Sequence, residues 1–200
     1  MLVNLDDDDY CLWKRGGQPF GVRLPPARLR LAGKSGSRCL EIYEMPGHLI
    51  RRMQQIAVSI FTDRIANAGY DLTPVQFACL NALEAYPGID QATLAGLIAY
   101  DRVTIGGVVD RLEAKGLVTR TVNKSDRRSR VLKLTPAGED LLSETRDVVR
   151  QTQADILQGL NGREAVAFIE LLQKAISAAE GESRAPFRPR QREQEREQGK

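Results

Sequence analysis

Apolar residues recur with a helical period along most of the chain after residue 47. In residues 48–66 the positions three or four apart on one face are Leu49, Met53, Ile56 and Ile60. This spacing predicts a helix with a buried face. Thr73, Pro74 and Gln76 then form the pattern of a capped helix start, with proline at the first helical position. This second helix is expected to end at the Pro87-Gly88 pair.

Two short helices are predicted next. Asp90 is placed to cap a third helix, and Asp101 to cap a fourth after a short connection. The fourth helix has one apolar face, formed by Ile105, Val108, Val109 and Leu112. Gly116 is expected to end it. Two short helices joined by a tight turn indicate a helix-turn-helix.

The period changes to that of strands after Gly116. Residues 117–122 and 130–135 are short and rich in β-branched residues, and a polar, basic stretch separates them. This pattern predicts a hairpin with a basic tip. Thr135 and Asn161 begin a long fifth and a sixth amphipathic helix. The predicted fold class is mainly α with a small β wing (α+β).

The two ends of the chain show neither the helical nor the strand period of apolar residues. Residues 1–40 are expected to be a disordered extension, and a bolder hypothesis places the natural start near Met45, with the upstream stretch a mis-assigned leader. Residues 179–200 are expected to be a disordered or frayed charged tail. The folded domain is therefore predicted over residues 41–178.

Composition excludes several classes of protein. With 200 residues and 42% hydrophobic content, the chain is expected to form one globular domain, and its short apolar runs exclude a membrane span. Acidic residues 6–9 do not suit a signal peptide, so a cytoplasmic location is expected. Three widely spaced cysteines and one histidine argue against disulfides, metal sites and cofactors. Since no catalytic motif is present, an enzyme is not expected.

Positive charge is concentrated in the predicted helix-turn-helix and hairpin. Residues 101–133 contain nine basic and four acidic side chains, a net of +5 in a chain whose total is +3. A solvated basic face is the simpler explanation of the charge alone. However, a helix-turn-helix followed directly by a basic hairpin is typical of a winged helix, which reads the major groove with its second helix and reaches the minor groove with its hairpin.

Four runs in this region have a characteristic order and spacing: DRVT at 101–104, VDRLEAKGLVTR at 109–120, SDRR at 125–128 and LTPAG at 134–138. Together they resemble the MarR family of winged-helix transcription regulators. The resemblance spans about residues 45–178, with the DNA-binding part at about 72–135. It implies a homodimer, held by the first, fifth and sixth helices, that represses transcription from a pseudo-palindromic double-stranded operator and releases it when a small ligand binds.

The predicted fourth helix, which is the second of the helix-turn-helix and is called the recognition helix, carries candidate DNA contacts. Arg102 and Thr104, at its N-terminal end, are expected to reach base edges, although both also suit an ordinary polar surface. Gly106 and Gly107 each disfavour the helix by about 1 kcal/mol, which indicates close approach of DNA or of a packed neighbour. Arg111 is either a DNA contact or an intramolecular ion-pair partner, of Asp126 or of an acidic residue on the surface of its own helix.

The wing supplies the other candidate contacts. By resemblance to the family, Asp126 holds an arginine in place while Arg127 or Arg128 enters the minor groove, and the sequence does not decide which. Lys124 and Arg130 are expected to bind phosphates, which positions the protein without reading sequence.

A candidate effector site lies on the first helix. His48, Arg51 and Arg52 share one face within a turn, so they offer hydrogen-bond donors to an anion. A capping histidine and arginines paired across the dimer are the structural alternative. The run YEMPGHLIRR at 43–52 resembles regulators of aromatic-acid breakdown, notably nicotinate-pathway repressors, which implies an aromatic carboxylate as effector. Arg51 or Arg52 is then expected to pair with the carboxylate and His48 to bond a ring substituent. Tyr70 or Phe77 is expected to line the pocket, between the first, second and fifth helices.

Two alternatives remain open at this point. Some MarR relatives respond to oxidation through cysteine, but Cys79 lies in an apolar helix, where a buried and inert thiol is expected. Cys11 and Cys39 lie in or near the segment expected to be disordered. The other alternative is a winged-helix interaction module that responds to no ligand.

Overall fold

The computed structural model describes residues 10–15, 18–23, 41–122 and 130–188. The chain divides into two units, residues 1–44 and 45–200. The first unit contains strands β1 (Tyr10–Arg15) and β2 (Gln18–Arg23) and a 3₁₀ turn at Glu41–Glu44. The second unit contains the elements predicted for the winged helix.

Six helices and a three-stranded sheet form the second unit. The helices are α1 (Pro46–Asn67), α2 (Pro74–Ala85), α3 (Gln91–Leu97), α4 (Arg102–Ala114), α5 (Pro136–Ile156) and α6 (Gly162–Ala179). The strands are β3 (Ile89–Asp90), β4 (Val118–Val122) and β5 (Arg130–Leu134). The sheet is antiparallel in the order β3-β5-β4, with Ile89 opposite Leu132 and Val118 opposite Leu134. This is a winged helix with long flanking helices, so the predicted fold class is confirmed.

The helix starts are fixed by the side chains that the sequence indicated. Thr73 Oγ1 accepts a hydrogen bond from Gln76 N (3.3 Å), and Gln76 Oε1 accepts one from Thr73 N (3.0 Å), which completes a capping box. Asp90, Asp101 and Thr135 each accept a bond from the backbone of the first turn of α3, α4 and α5. The predicted starts of these helices are therefore confirmed.

One hydrophobic core joins the helix-turn-helix to the sheet and to α1 and α5. Its fully buried large side chains include Ile65, Leu80, Leu83, Leu94, Ile105, Leu112, Leu132 and Leu142. Each contributes about 1.5–3 kcal/mol by its removal from water. Thr145 and Thr152 are the polar residues on the buried face of α5, and their hydroxyls donate to carbonyls one turn back, at 2.7 and 2.8 Å. The core therefore contains few polar groups to disturb it.

The N-terminal segment departs from the expectation of disorder over residues 10–23. β1 and β2 form an antiparallel hairpin with Trp13 opposite Phe20 and Leu12 opposite Gly21. Aromatic and branched residues favour strands, and the intervening Gly16-Gly17 pair is typical of two-residue hairpin turns. That local signal outweighs the lack of a long period. Residues 1–9 and 24–40, also expected to be disordered, lie outside the described residues.

The C-terminal segment also departs from expectation. After α6 the chain makes a 3₁₀ turn at Glu180–Glu182 and continues to Arg188, whose backbone N–H donates to the carbonyl of Gly96 (2.8 Å). A backbone hydrogen bond to a helix end holds residues that lack an apolar face of their own. Residues up to 188 thus make contacts that a frayed tail would lack. Residues 189–200 lie outside the described residues, so the expectation for the tail as a whole stays a prediction.

Among the described helices, none by itself is long and apolar enough to cross a membrane. Only α3 and α4 taken together have the necessary length and composition, and they are bent by 109°. Their apolar faces are buried in the core, as expected of helices in the centre of a folded domain.

Candidate nucleic-acid interface and ligand groove

The N-terminal end of α4 is exposed and tightly capped. Asp101 Oδ1 accepts from Thr104 N (2.8 Å), and the Thr104 hydroxyl donates to Asp101 Oδ2 (2.5 Å). These hydrogen bonds, first the one from the hydroxyl, hold the pKa of the Asp101 carboxyl below its usual value. Because its proton is committed to Asp101, Thr104 offers a methyl group and an acceptor, rather than a donor, to anything that approaches this end.

Val103 is a surface residue that the sequence analysis did not single out. Its side chain is 87% exposed, between the exposed side chains of Arg102 and Thr104. The buried face of α4 begins at Ile105 and continues through Val108. Helical spacing from those positions already places Val103 outside the core, and this was the signal that could have identified it. An exposed valine at the tip of this helix suits contact with a thymine methyl group.

The two glycines of α4 have different neighbours. A Cβ at Gly106 would lie 3.2 Å from Gln91 Nε2, and that amide donates to the carbonyl of Arg102 (3.3 Å). A Cβ at Gly107 would lie 3.6 Å from Arg111 Nη1. Of the two explanations for these glycines, the packed neighbour therefore applies to Gly106. Gly107 leaves room for the exposed Arg111 side chain to fold back along the helix.

Some basic residues of this region have acidic partners within the domain. Arg120 on β4 pairs with Asp110 and lies 3.2 Å from Glu113, both on α4. Lys115 Nζ lies 2.7 Å from the carboxylate of Asp71 and 2.8 Å from its carbonyl oxygen. These pairs fix β4 and the loop before α2 to α4, so their charge serves the fold more than phosphate contact.

The wing is described only at its base. Val122 on β4 is opposite Arg130 on β5, and the Arg130 side chain is exposed where the strand begins. The tip residues proposed from the sequence lie outside the described residues: Lys124, Asp126, Arg127 and Arg128. The suggested pairing of Arg111 with Asp126 therefore stays a prediction.

An apolar groove lies at the other end of the domain. It has a volume of about 610 Å³ between the N-terminal half of α1, the C-terminal end of α5 and α6. Its wall includes Leu49, Ile50, Arg52, Met53, Gln54, Ile56, Ala57, Ile156, Leu157, Leu160, Phe168 and Leu172. Many of these side chains are exposed, and no residue of α6 is buried within one chain. Of the apolar stripe of α1 that was predicted to be buried, Leu49 and Ile56 are exposed and Met53 and Ile60 are half-buried. Full burial on α1 begins at Phe61.

The three candidate ligand residues of α1 lie beside this groove or within a turn of it. Arg52 lines the groove, and the Arg51 guanidinium donates to Gln55 Oε1 (2.7 Å) on the exposed side of the helix. His48 is half-buried near the start of the helix. Of the three, Arg52 thus faces the groove most directly.

Tyr70 and Phe77 lie at the opposite end of α1. The Phe77 ring meets the Phe61 ring edge-on at 6.2 Å, and Tyr70 N donates to the carbonyl of Ile65 (3.0 Å). From His48 to Ile65 a helix rises about 25 Å. One chain therefore does not bring the five candidate ligand residues around one small molecule.

Tyr70 also has a structural role. Partial burial, and then the charge and hydrogen bonding of the Glu144 carboxylate, raise the pKa of the Tyr70 hydroxyl. This hydroxyl stays protonated at neutral pH and connects the loop after α1 to α5.

Cys79 is fully buried in α2, and burial raises the pKa of its thiol to about 12. A thiol in this state has almost no thiolate at neutral pH, and the thiolate is the reactive form. Of the three cysteines, this one does not suit oxidation sensing.

Known proteins are similar to this chain in its helix-turn-helix region and beyond it. Residues 72–129 match the model of the MarR family. The chain is 35% identical over 140 residues to the HTH-type transcriptional repressor NicR of Pseudomonas putida, which covers 70% of this chain and 87% of NicR.

Two solved structures share the fold over almost their whole length. One is BpsR of Bordetella bronchiseptica, whose DNA binding is regulated by 6-hydroxynicotinic acid (TM-score 0.64, 33% identity, 69% of this chain and 97% of BpsR). The other is the transcriptional repressor CouR bound to a 23-mer DNA duplex (TM-score 0.62, 31% identity, 72% of this chain and 99% of CouR). NicR and CouR are repressors, and none of the three is named as an enzyme. With this relationship, the capped helix-turn-helix and the paired wing strands, the chain belongs to the MarR family of winged helix-turn-helix transcription regulators.

Proposed function

We propose that this protein is a cytoplasmic repressor that binds a pseudo-palindromic operator as a homodimer and releases it when an aromatic carboxylate binds. The observation that carries the proposal is the exposed tip of α4, where Arg102 and Val103 project from a helix end that Asp101 caps. The related CouR is found on a DNA duplex and the related BpsR is regulated by 6-hydroxynicotinic acid. Membership of the same family supports both halves of the proposal.

The proposed DNA contacts divide by role. Arg102, Val103 and Thr104 read base edges in the major groove, with the arginine as bidentate donor to guanine. Arg111 and Arg130 are exposed and bind phosphates on either side of the recognition helix. Lys124 and one of Arg127 and Arg128 extend the contact through the wing to the minor groove, and Asp126 orients the arginine.

Dimerisation is proposed through the uncovered apolar surface of α1 and α6. Exposed large side chains on α6 include Val166, Ile169, Leu171 and Ile176, with exposed fractions of 44–66%. An apolar surface of this extent is typical of a protein interface. For such a dimer to bind two half-sites of a pseudo-palindromic operator, its two recognition helices must lie one DNA turn apart, about 34–36 Å.

The proposed effector site is at the groove. Arg52 offers a guanidinium beside an apolar wall, which suits a flat ring with one carboxylate. His48 and Arg51 lie within one turn of Arg52 and complete the donor set. Tyr70 and Phe77 join the same site only where the α1 helix of a second chain runs antiparallel to the first. Within one chain α1 separates Arg52 by about 14 Å from Phe61, which Phe77 contacts, and by about 20 Å from Ile65, to which Tyr70 donates.

A binding titration tests the proposal. The full chain is titrated against DNA flanking its own gene and against a scrambled duplex, with and without 6-hydroxynicotinate, nicotinate, benzoate and a hydroxycinnamate. We expect preference for one flanking duplex and a 5–150-fold loss of affinity with one acid, which corresponds to a coupling of about 1–3 kcal/mol. Equal binding to both duplexes would instead indicate an interaction module.

Variants then locate the effector site. Arg52→Ala and His48→Ala are expected to keep DNA affinity and lose the response to the acid. Arg163→Ala, an exposed arginine at the start of α6 and outside the groove wall, is the matched control. If both groove variants respond as the unmodified protein does, the effector binds elsewhere.

A further inference from the structure

The segment after α6 returns to the helix-turn-helix. Arg188 N donates to the carbonyl oxygen of Gly96 (2.8 Å), near the C-terminal end of α3. A Cβ at Gly96 would lie only 3.2 Å from Arg188 Cβ and 3.6 Å from its Cγ and Cδ. The absence of a side chain at Gly96 therefore gives the segment a notch in which its backbone approaches α3 closely.

The segment also has contacts of its own before it reaches α3. The backbone N–H of Phe187 donates to the Glu180 carboxylate, and Ala185 and Pro186 are half-buried. A charged tail with no contacts of its own would have none of these features. The contact with Gly96 is thus the end of a short folded segment.

This contact lies at the turn that leads into the recognition helix. Tyr100 N donates to the carbonyl of Ala95 (3.0 Å), so the chain reverses around the end of α3 directly after Gly96. Asp101 then begins α4. Arg188 is therefore anchored within a few residues of the helix end that is proposed to enter the major groove.

The charged side chains of the anchored segment are all basic. Residues 184–188 contain two arginines and no acidic residue. Arg184 and Arg188 are exposed. Pro186 favours an extended backbone. An extended, basic segment fixed beside a DNA-reading helix suits the polyanionic backbone of a duplex.

We propose that residues 184–188 form a basic arm, docked on α3, whose two arginines bind DNA phosphates next to the sites of the recognition helix. This inference rests on the proposed function, since it adds a second DNA-binding element to the winged helix. Its contacts are with phosphates, so it strengthens binding to every duplex without changing the preferred sequence. A dimer has two such arms.

The test uses the full chain and matched charge removals. The arm variant is Arg184→Gln with Arg188→Gln, and the control is Arg196→Gln with Lys200→Gln, which removes the same charge beyond the arm. Affinity is measured at several salt concentrations on a duplex that the unmodified chain selects from random-sequence DNA, and on a scrambled duplex. Each lost phosphate contact lowers the slope of log K against log salt by about 0.9, so the arm variant is expected to lose up to about 4 in slope on both duplexes. The control is expected to keep the slope of the unmodified chain.

A second variant tests the anchor itself. Gly96→Ala fills the notch, and alanine suits a helix better than glycine, so the fold is expected to remain intact. We expect faster hydrogen exchange in the peptide that contains Arg188, and a smaller salt slope. Unchanged exchange and an unchanged slope in both variants would overturn the arm. Failure of the unmodified chain to select any sequence would instead count against the proposed function.

Discussion

Arg120 on β4 pairs with the carboxylate of Asp110 on α4, and its Nε lies 3.2 Å from Glu113 Oε2. The arginine side chain is 20% exposed, whereas that of Asp110 is 66% exposed. The pair joins β4, the first strand of the wing, to the recognition helix α4. A basic residue that adds to the local positive charge of the sequence thus acts as a connection inside the domain.

Loss of this pair is expected to loosen the wing. Because Asp110 is well exposed and solvent screens the pair, a double-mutant cycle of Arg120→Gln and Asp110→Asn is expected to give a coupling of only about 0.5–1 kcal/mol in urea unfolding. DNA affinity is expected to fall further in Arg120→Gln than in the control Arg150→Gln, whose arginine pairs with Asp147 within α5. A zero coupling would show that the Arg120–Asp110 pair does not help to hold the wing.

Gly138 at the start of α5 is expected to tolerate no side chain. A Cβ there would clash with the Leu117 carbonyl oxygen and lie 3.1 Å from its carbonyl carbon, and both atoms are backbone. Gly138→Ala is therefore expected to lower the free energy of unfolding by about 1–3 kcal/mol, since overpacking exceeds the gain in helix propensity. Gly162→Ala, with no atom within 4 Å of its added methyl group, is the control and is expected to be neutral or slightly stabilising. Equal melting temperatures for the two variants would contradict this account.

The Asp101 cap is expected to make stability depend on pH in the acid range. Its folded pKa is lowered from the ordinary value of 3.8, mainly by the Thr104 hydroxyl, so the carboxylate stabilises the fold at all pH values above 3.8. That contribution is lost as pH falls from 3.8 through the lower folded value. Asp101→Asn keeps a capping oxygen and is expected to lose stability less steeply below pH 4 in urea titrations. Parallel curves for the two proteins would show that the cap is not coupled to protonation.

The buried Cys79 thiol is expected to be inert. With its pKa raised to about 12 by burial, it should not react with a thiol reagent at neutral pH in a Cys11→Ser, Cys39→Ser background, and should react fully after unfolding in urea. The readout is absorbance of the released aromatic thiol. Rapid reaction of the folded protein, together with loss of DNA binding that a reductant reverses, would restore the redox alternative.

Local signals account for what the sequence predicted well. Each of these signals lies within a few residues of the element that it determines. Thr73 and Asp101 cap the helices that follow them, and the hydrophobic period changes from 3.6 to 2 directly after Gly116. The winged helix and the exposed tip of α4 follow from them.

Contacts between residues far apart in the chain could not be predicted from the sequence. The return of Arg188 to Gly96, the clash that reserves Gly138 and the pairing of Arg120 with α4 depend on tertiary packing. Periodicity reports which face of an element is buried, but it does not report what covers that face. The expected ligand residues lie toward both ends of α1, although the helical rise alone separates His48 from Ile65 by about 25 Å.

Val103 provides a direct test of base reading by α4. Because its side chain is 87% exposed, Val103→Ala is expected to leave the melting temperature unchanged. If the valine contacts a thymine methyl group, the variant is expected to bind the selected duplex more weakly, by about 1 kcal/mol. This is the free energy expected for the burial of one or two methyl groups. Replacement of each thymine in turn by uracil removes that methyl group from the DNA. At the contacted position the unmodified chain is expected to lose affinity and the variant to lose none, whereas equal losses at every position would show that Val103 does not read the bases.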